Sequence, residues 1–249
     1  MGALDQAATL QVYNALANNP VNILRQAVLQ VNRLPAVADG TARNLYFAYH
    51  DHLMIIDETE STAWALAGGE DNSWAIQRQM IVSAMRGSGL PIGALAGQRH
   101  AVTTRVDGTA VNADFCVTEM QNGCTVLILD WGNYDYSMFH LQPSEDTDFN
   151  RISKAVMWPG KYAKAAYKNA WLRSEVSTVM TNTGGNQPVA YIMVQSMFES
   201  AGGWVTQLLG VHNGVGFDFY RQRARRQALH AERLQWTTWR SWVPWWSTY

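Results

Sequence analysis

Apolar positions along this chain follow two different periods, and the change between them outlines the fold. Between Leu4 and Leu34 the spacing is helical: Leu10, Tyr13, Leu16 and Ala17 make one stripe, and Ile23, Ala27, Val31 and Leu34 make a second. Asn18-Asn19-Pro20 separates the two predicted helices, with Asn19 before Pro20 as a start signal. Pro35 to Gly40 reads as a small-residue linker, Leu45 to Asp57 as a strand or pair of strands, and Trp74 to Met85 as a helix. From Gln98 alternation takes over. His100–Val106, Ala110–Met120, Thr125–Trp131 and Tyr134–Leu141 are predicted strands, with Asp107-Gly108 and Gly132-Asn133 as hairpin punctuation.

Helical character returns at Ser144, an N-cap candidate, and continues through Phe149–Met157 and Tyr162–Val179. Ala190–Phe198 and Trp204–Tyr220 are predicted strands, broken at Gly202-Gly203 and Asn213-Gly214, and Tyr220 to Trp239 is predicted to be an Arg-rich helix. The sum is an α+β fold: a mainly antiparallel β-sheet or sandwich core with N-terminal, intervening and C-terminal helices. Three regions follow from it: a helical segment over 1–36, an α+β core over 41–220, and an Arg/Trp-rich tail over 221–249.

Composition narrows the function classes. At 249 residues the chain can bury a sizeable core, and a net charge of −1 gives no electrostatic footprint for nucleic acid. The two cysteines, Cys116 and Cys124, do not make a disulfide framework, which fits a reducing compartment. No secretory signal pattern and no membrane-length apolar run is present, so a soluble protein is expected. Export from a bacterium by a route without a cleavable signal is compatible with that.

The candidate chemistry lies between Glu119 and Leu141. Gly123 precedes Cys124, an apolar run follows, Gly132-Asn133 marks a turn, and the returning strand carries His140. A thiol beside an imidazole is the minimum for an activated sulfur nucleophile. Register decides whether they meet. A two-residue turn at Gly132-Asn133 would oppose Thr125 to His140 and put Cys124 on the other face. A three-residue loop, Trp131 to Asn133, would set Cys124 opposite His140, with Cβ atoms roughly 4.5–5.5 Å apart. An odd-length loop or an equivalent bulge is therefore required. Spacing alone fits a buried cysteine and a satisfied strand histidine better than a catalytic pair.

Asn122-Gly123-Cys124, the apolar strand and Phe139-His140-Leu141 together resemble the catalytic hairpin of cysteine-dependent protein glutamine deamidases. That group includes the cytotoxic necrotizing factor toxins, the Burkholderia lethal factor type and the chemoreceptor deamidase CheD. The resemblance spans about 30 residues and implies Cys124 as nucleophile, His140 as its base and, by likeness to the chemoreceptor deamidases, Thr118 as a third member. Asn122 and Gly123 would shape the oxyanion loop, although Asn122 stands where the toxins carry serine. The implied substrate is a glutamine side chain of a protein, and the implied setting is a bacterial effector or toxin acting in a host cytosol. No cofactor is implied. The same Cys–His pair could serve a cysteine protease or a transglutaminase.

Other features rank lower. Cys116, between Phe115 and Val117, reads as structural. His50 and His52 with Asp51 and Asp57 lack a second ligand pair, so no metal is assigned. His212, beside Asn213-Gly214, reads as a turn histidine. Arg221, Arg223, Arg225, Arg226, Arg233 and Arg240 crowd the tail with Trp236, Trp239, Trp242, Trp245, Trp246 and Tyr249. That tail offers three readings: a membrane-surface anchor, a dock for an acidic partner, or a cover for the protein's own core. The non-enzymatic alternative is a binding protein acting through it.

Overall fold

The break at Asn19-Pro20 separates α1 (Gly2–Asn18) from α2 (Pro20–Leu24), with proline in the first turn of the second helix. The computed structural model describes residues 2–35, 42–66, 75–82, 103–107, 113–121, 125–141, 187–196, 203–226 and 228–239. α2 is shorter than its apolar stripe predicts. Val28–Val31 forms β1 and pairs in parallel with β3 (Leu53–Asp57). Its β-branched valines suit a pleated surface, and the N–H groups of Val28 and Asn32 donate to the carbonyls of His52 and Ile56. β2 (Ala42–His50) joins β3 through Asp51-His52, both left-handed at φ 44° and 66°, as a two-residue hairpin turn requires. α3 (Glu60–Leu66) follows.

Ile76–Val82 is a strand, β4, not the expected helix. Ile76 and Met80 are four residues apart, a spacing that one helix face and one strand face both satisfy. Pairing with β2 and β6 (Phe115–Val117) decides between them. The expected strands of the central region appear as β5 (Thr103–Asp107), β6, β7 (Thr125–Asp130) and β8 (Asp135–Leu141). Asp107-Gly108 does not close a β5–β6 hairpin, because β5 pairs with β8 and β6 belongs to the other sheet. The predicted cap at Ser144 and the helices over Phe149–Met157 and Tyr162–Val179 lie outside the described residues. β9 (Ala190–Gln195) and β10 (Val205–His212) match expectation.

The helix expected over Tyr220 to Trp239 is replaced by β11 (Phe217–Arg225), β12 (Ala228–Arg233) and the short β13 (Thr237–Thr238). Period two wins because Phe217 and Phe219 enter one core while Tyr220 enters another across the sheet.

Two sheets result. The eight-stranded sheet runs β1-β3-β2-β4-β6-β10-β11-β12 and the five-stranded sheet β13-β9-β7-β8-β5. The smaller is antiparallel throughout, and the larger is antiparallel apart from the β1–β3 and β4–β6 pairs. One face of the larger sheet carries Leu45, Phe47, Met80, Phe115 and Leu209 and packs on Tyr13, Leu16 and Leu24 of the two helices. Its other face sends Ile81, Cys116, Leu208 and Phe219 against Val126, Ile128, Met138 and Val194 of the smaller sheet. Beyond that contact α3 covers Ala48 and Ile55. Gly210 sets the spacing within this layer: a Cβ there would lie 2.8 Å from the Cβ of Cys116 and 3.0 Å from the ring of Phe219.

Two buried glutamines close the β1 edge. Gln222 accepts from the Leu29 N–H at 2.8 Å and donates to the carbonyls of Leu24 (2.6 Å) and Ala27 (2.7 Å). Gln207, its cross-strand partner, accepts from the Val31 N–H at 3.4 Å and donates to the carbonyls of Thr118 (2.9 Å) and Leu208 (3.0 Å). An outward row of β1 backbone donors is thereby satisfied inside the protein.

Candidate functional site

The β7–β8 hairpin carries His140. Gly132, Asn133 and Tyr134 are all left-handed, at φ 88°, 53° and 61°. The Trp131 N–H donates to the Asp135 carbonyl at 2.9 Å, and the Asp130 carboxylate accepts the Gly132 N–H at 2.8 Å. The loop is thus three residues long, Gly132 to Tyr134, odd in length but one position later than Trp131 to Asn133. Its consequence is a register in which His140 opposes Val126, not Cys124, and Thr125 opposes Leu141. The direct Cys124–His140 opposition is corrected on this point. Cys124, with Asn122 and Gly123, lies outside the described residues.

His140 stands on the inter-sheet face with Val126 and Met138 and is 0% exposed. There it meets a side chain from the other sheet. Thr118, just past β6 and 1% exposed, places its hydroxyl 2.7 Å from Nδ1 of His140. Two residues singled out in the sequence therefore come together between the sheets. When Nδ1 carries the proton it donates to the Thr118 oxygen, and Nε2 then holds the lone pair of a base.

Thr118 sits at an irregularity. β6 opposes Val117 to Leu209, yet Gln121 opposes Thr206. Four steps on one strand against three on the other make a one-residue bulge, a device that re-aims side chains. The carbonyl of Thr118 is held from the opposite face of the sheet by Gln207. Gln121 is itself buried, and its backbone N–H and carbonyl are both bonded to Thr206, at 2.8 and 3.2 Å. Neither Gln121 nor Gln207 stands out in the sequence, since no glycine, proline or break in alternation marks the bulge.

The remaining candidates are placed as follows. Cys116 is buried in the inter-sheet core with its sulfur 3.6 Å from that of Met138. Asp57 accepts from Asn32 (2.6 Å) and from the Thr59 N–H (2.8 Å) at the start of α3, and His52 occupies a turn. Among the described residues no group of three potential metal ligands occurs. His212 accepts the Gly214 N–H at 3.3 Å and meets Phe217 edge to face.

In the tail, Trp236 stacks on Tyr136 and meets Phe219 edge-on, and Trp239 meets Tyr191, so both indoles lie against the chain's own side chains. Burial under this cover pushes the Tyr136 phenol up to about 12. Arg221 pairs with Glu232, and Arg233 with Asp218 at 2.6 Å. Arg240, Trp242, Trp245, Trp246 and Tyr249 lie outside the described residues. No described helix is long and apolar enough to cross a membrane.

No model of a known protein family matches the chain, and no curated protein matches it. Among solved structures it is similar to the C-terminal domain of CNFy from Yersinia pseudotuberculosis. That similarity has a TM-score of 0.36 and 7% identity, over 93% of this chain and 98% of that one. A likeness at this level fixes neither a shared fold nor a shared activity.

Proposed function

We propose that this chain is a cysteine-dependent amidohydrolase that converts a glutamine side chain of a protein to glutamate. Cys124 is the nucleophile, His140 its base and then acid, and Thr118 the group that orients His140. One observation carries the reading. Thr118 and His140, chosen in the sequence 22 residues apart, meet at 2.7 Å in a buried position between two sheets. The odd-length hairpin loop supports it as well. That loop sets His140 opposite Val126, two residues after Cys124 in the chain.

The chemistry follows from the groups. With Nδ1 on Thr118, Nε2 takes the proton of Cys124, and the thiolate adds to the carboxamide carbon. The imidazolium returns its proton to the nitrogen, the C–N bond breaks, and ammonia leaves a thioester. Water, losing its proton to Nε2, adds to the thioester. Collapse of that adduct expels the thiolate, which is reprotonated, and leaves glutamate. The setting that accompanies this reading is a bacterial effector acting on a protein of its target cell.

The test follows mass and ammonia together. We expect the full chain, given unfolded casein or benzyloxycarbonyl-Gln-Gly, to release ammonia and add about one dalton per glutamine, and Cys124→Ser and His140→Ala to abolish both. Cut chains would reassign the site to proteolysis, and incorporated amine to transamidation. Modification that persists in Cys124→Ser would contradict the assignment.

A further inference from the structure

The bulge after β6 has a consequence for Gln121. On plain alternation Gln121 and Thr118, three residues apart, would point to opposite faces of the sheet. The extra residue cancels that. Gln121 opposes Thr206, and Thr206 has the parity of Leu208, which packs in the inter-sheet core. Thr118 and Gln121 therefore share the face on which His140 stands.

Gln121 is 0% exposed, and neither its Nε2 nor its Oε1 has a hydrogen-bond partner among the described residues. Gln207 and Gln222, buried in the same sheet, use both ends of their amides. A buried amide left unsatisfied lowers stability, and a catalytic role is one of the reasons such a group is kept. The backbone N–H and carbonyl of Gln121 are both bonded to Thr206, so its amide is presented from a held backbone.

We propose that Nε2 of Gln121 donates to the carbonyl oxygen of the substrate as thiolate attack turns it into an oxyanion. This rests on the Cys124 reading above. Gln121 lies three residues before Cys124 in the chain, and an N–H donor on a backbone bonded to Thr206 is what an oxyanion needs. The partner of its amide is thus a carbonyl undergoing attack.

Two small probes isolate the role. p-Nitrophenyl acetate acylates a thiol through a tetrahedral oxyanion, whereas iodoacetamide alkylates it by direct displacement and forms none. Using the full chain with Cys124→Ser as blank, we expect Gln121→Met to slow acylation about 100-fold and leave alkylation within about twofold. Its Tm should equal or exceed that of the wild type, because an unpartnered amide has been removed. Should Gln121→Met not fold, Gln121→Asn keeps a shorter amide and should lose acylation alone. Equal effects on the two reactions, or none on acylation, would overturn the proposal. Wild-type Cys124 that alkylates no faster than cysteine in solution would instead overturn the nucleophile reading, and Gln121's role with it.

Discussion

Asp130 is half-buried where β7 gives way to its turn, and its hydrogen bond to the Gly132 N–H helps hold the loop that sets the register of His140. Burial raises its pKa above the ordinary 3.8; the Gly132 bond opposes this and nearby Asp135 adds to it. A carboxyl raised on folding favours the fold below its unfolded pKa and loses that contribution as pH rises through the folded value. Asp130→Asn keeps an acceptor for Gly132 and discards the charge. We therefore expect its Tm to exceed the wild type's near pH 7, with the gap closing toward about pH 3. Thermal scans across that range check it, and a variant less stable at neutral pH would contradict it. At this scale the sequence singled out His140 and Thr118 but not Gln121. His140 answers to residue type and spacing and Thr118 to a family resemblance, whereas Gln121 acquires its face only from a bulge that Glu119 and Met120 do not announce.

Among the elements, β1, β4 and the β11–β12 hairpin departed from expectation, each for a physical reason. Val31, Met80 and Tyr220 satisfy a helical stripe and a strand face equally, and only long-range pairing separates the two. The antiparallel strands β7 and β8 were legible because Gly132-Asn133 interrupts two strongly apolar runs. What tied β1 down was invisible in the sequence: its outward amides are satisfied by Gln207 and Gln222, nearly two hundred residues away. Gln222→Leu fills much of the same volume but leaves the Leu29 N–H and the Leu24 and Ala27 carbonyls without that side chain. We expect it to cost about 2–4 kcal/mol, read by urea unfolding at unchanged slope. A loss below about 0.5 kcal/mol would show that the glutamine does not secure the edge.

In the whole molecule, α1 and α2 pack on one face of the larger sheet, the smaller sheet and α3 lie on the other, and the Thr118–His140 contact lies in the inter-sheet layer. Each sheet side supplies one partner, so the contact depends on the two sheets keeping their spacing. The central claim is that this contact orients a base for Cys124, and the pH dependence of iodoacetamide alkylation at Cys124 tests it most directly. The account predicts a thiolate that forms well below the ordinary cysteine value of about 8.5, with His140→Ala restoring that value and Thr118→Val slowing the reaction. A Cys124 thiol that titrates at or above the ordinary value, unchanged by His140→Ala, would contradict it.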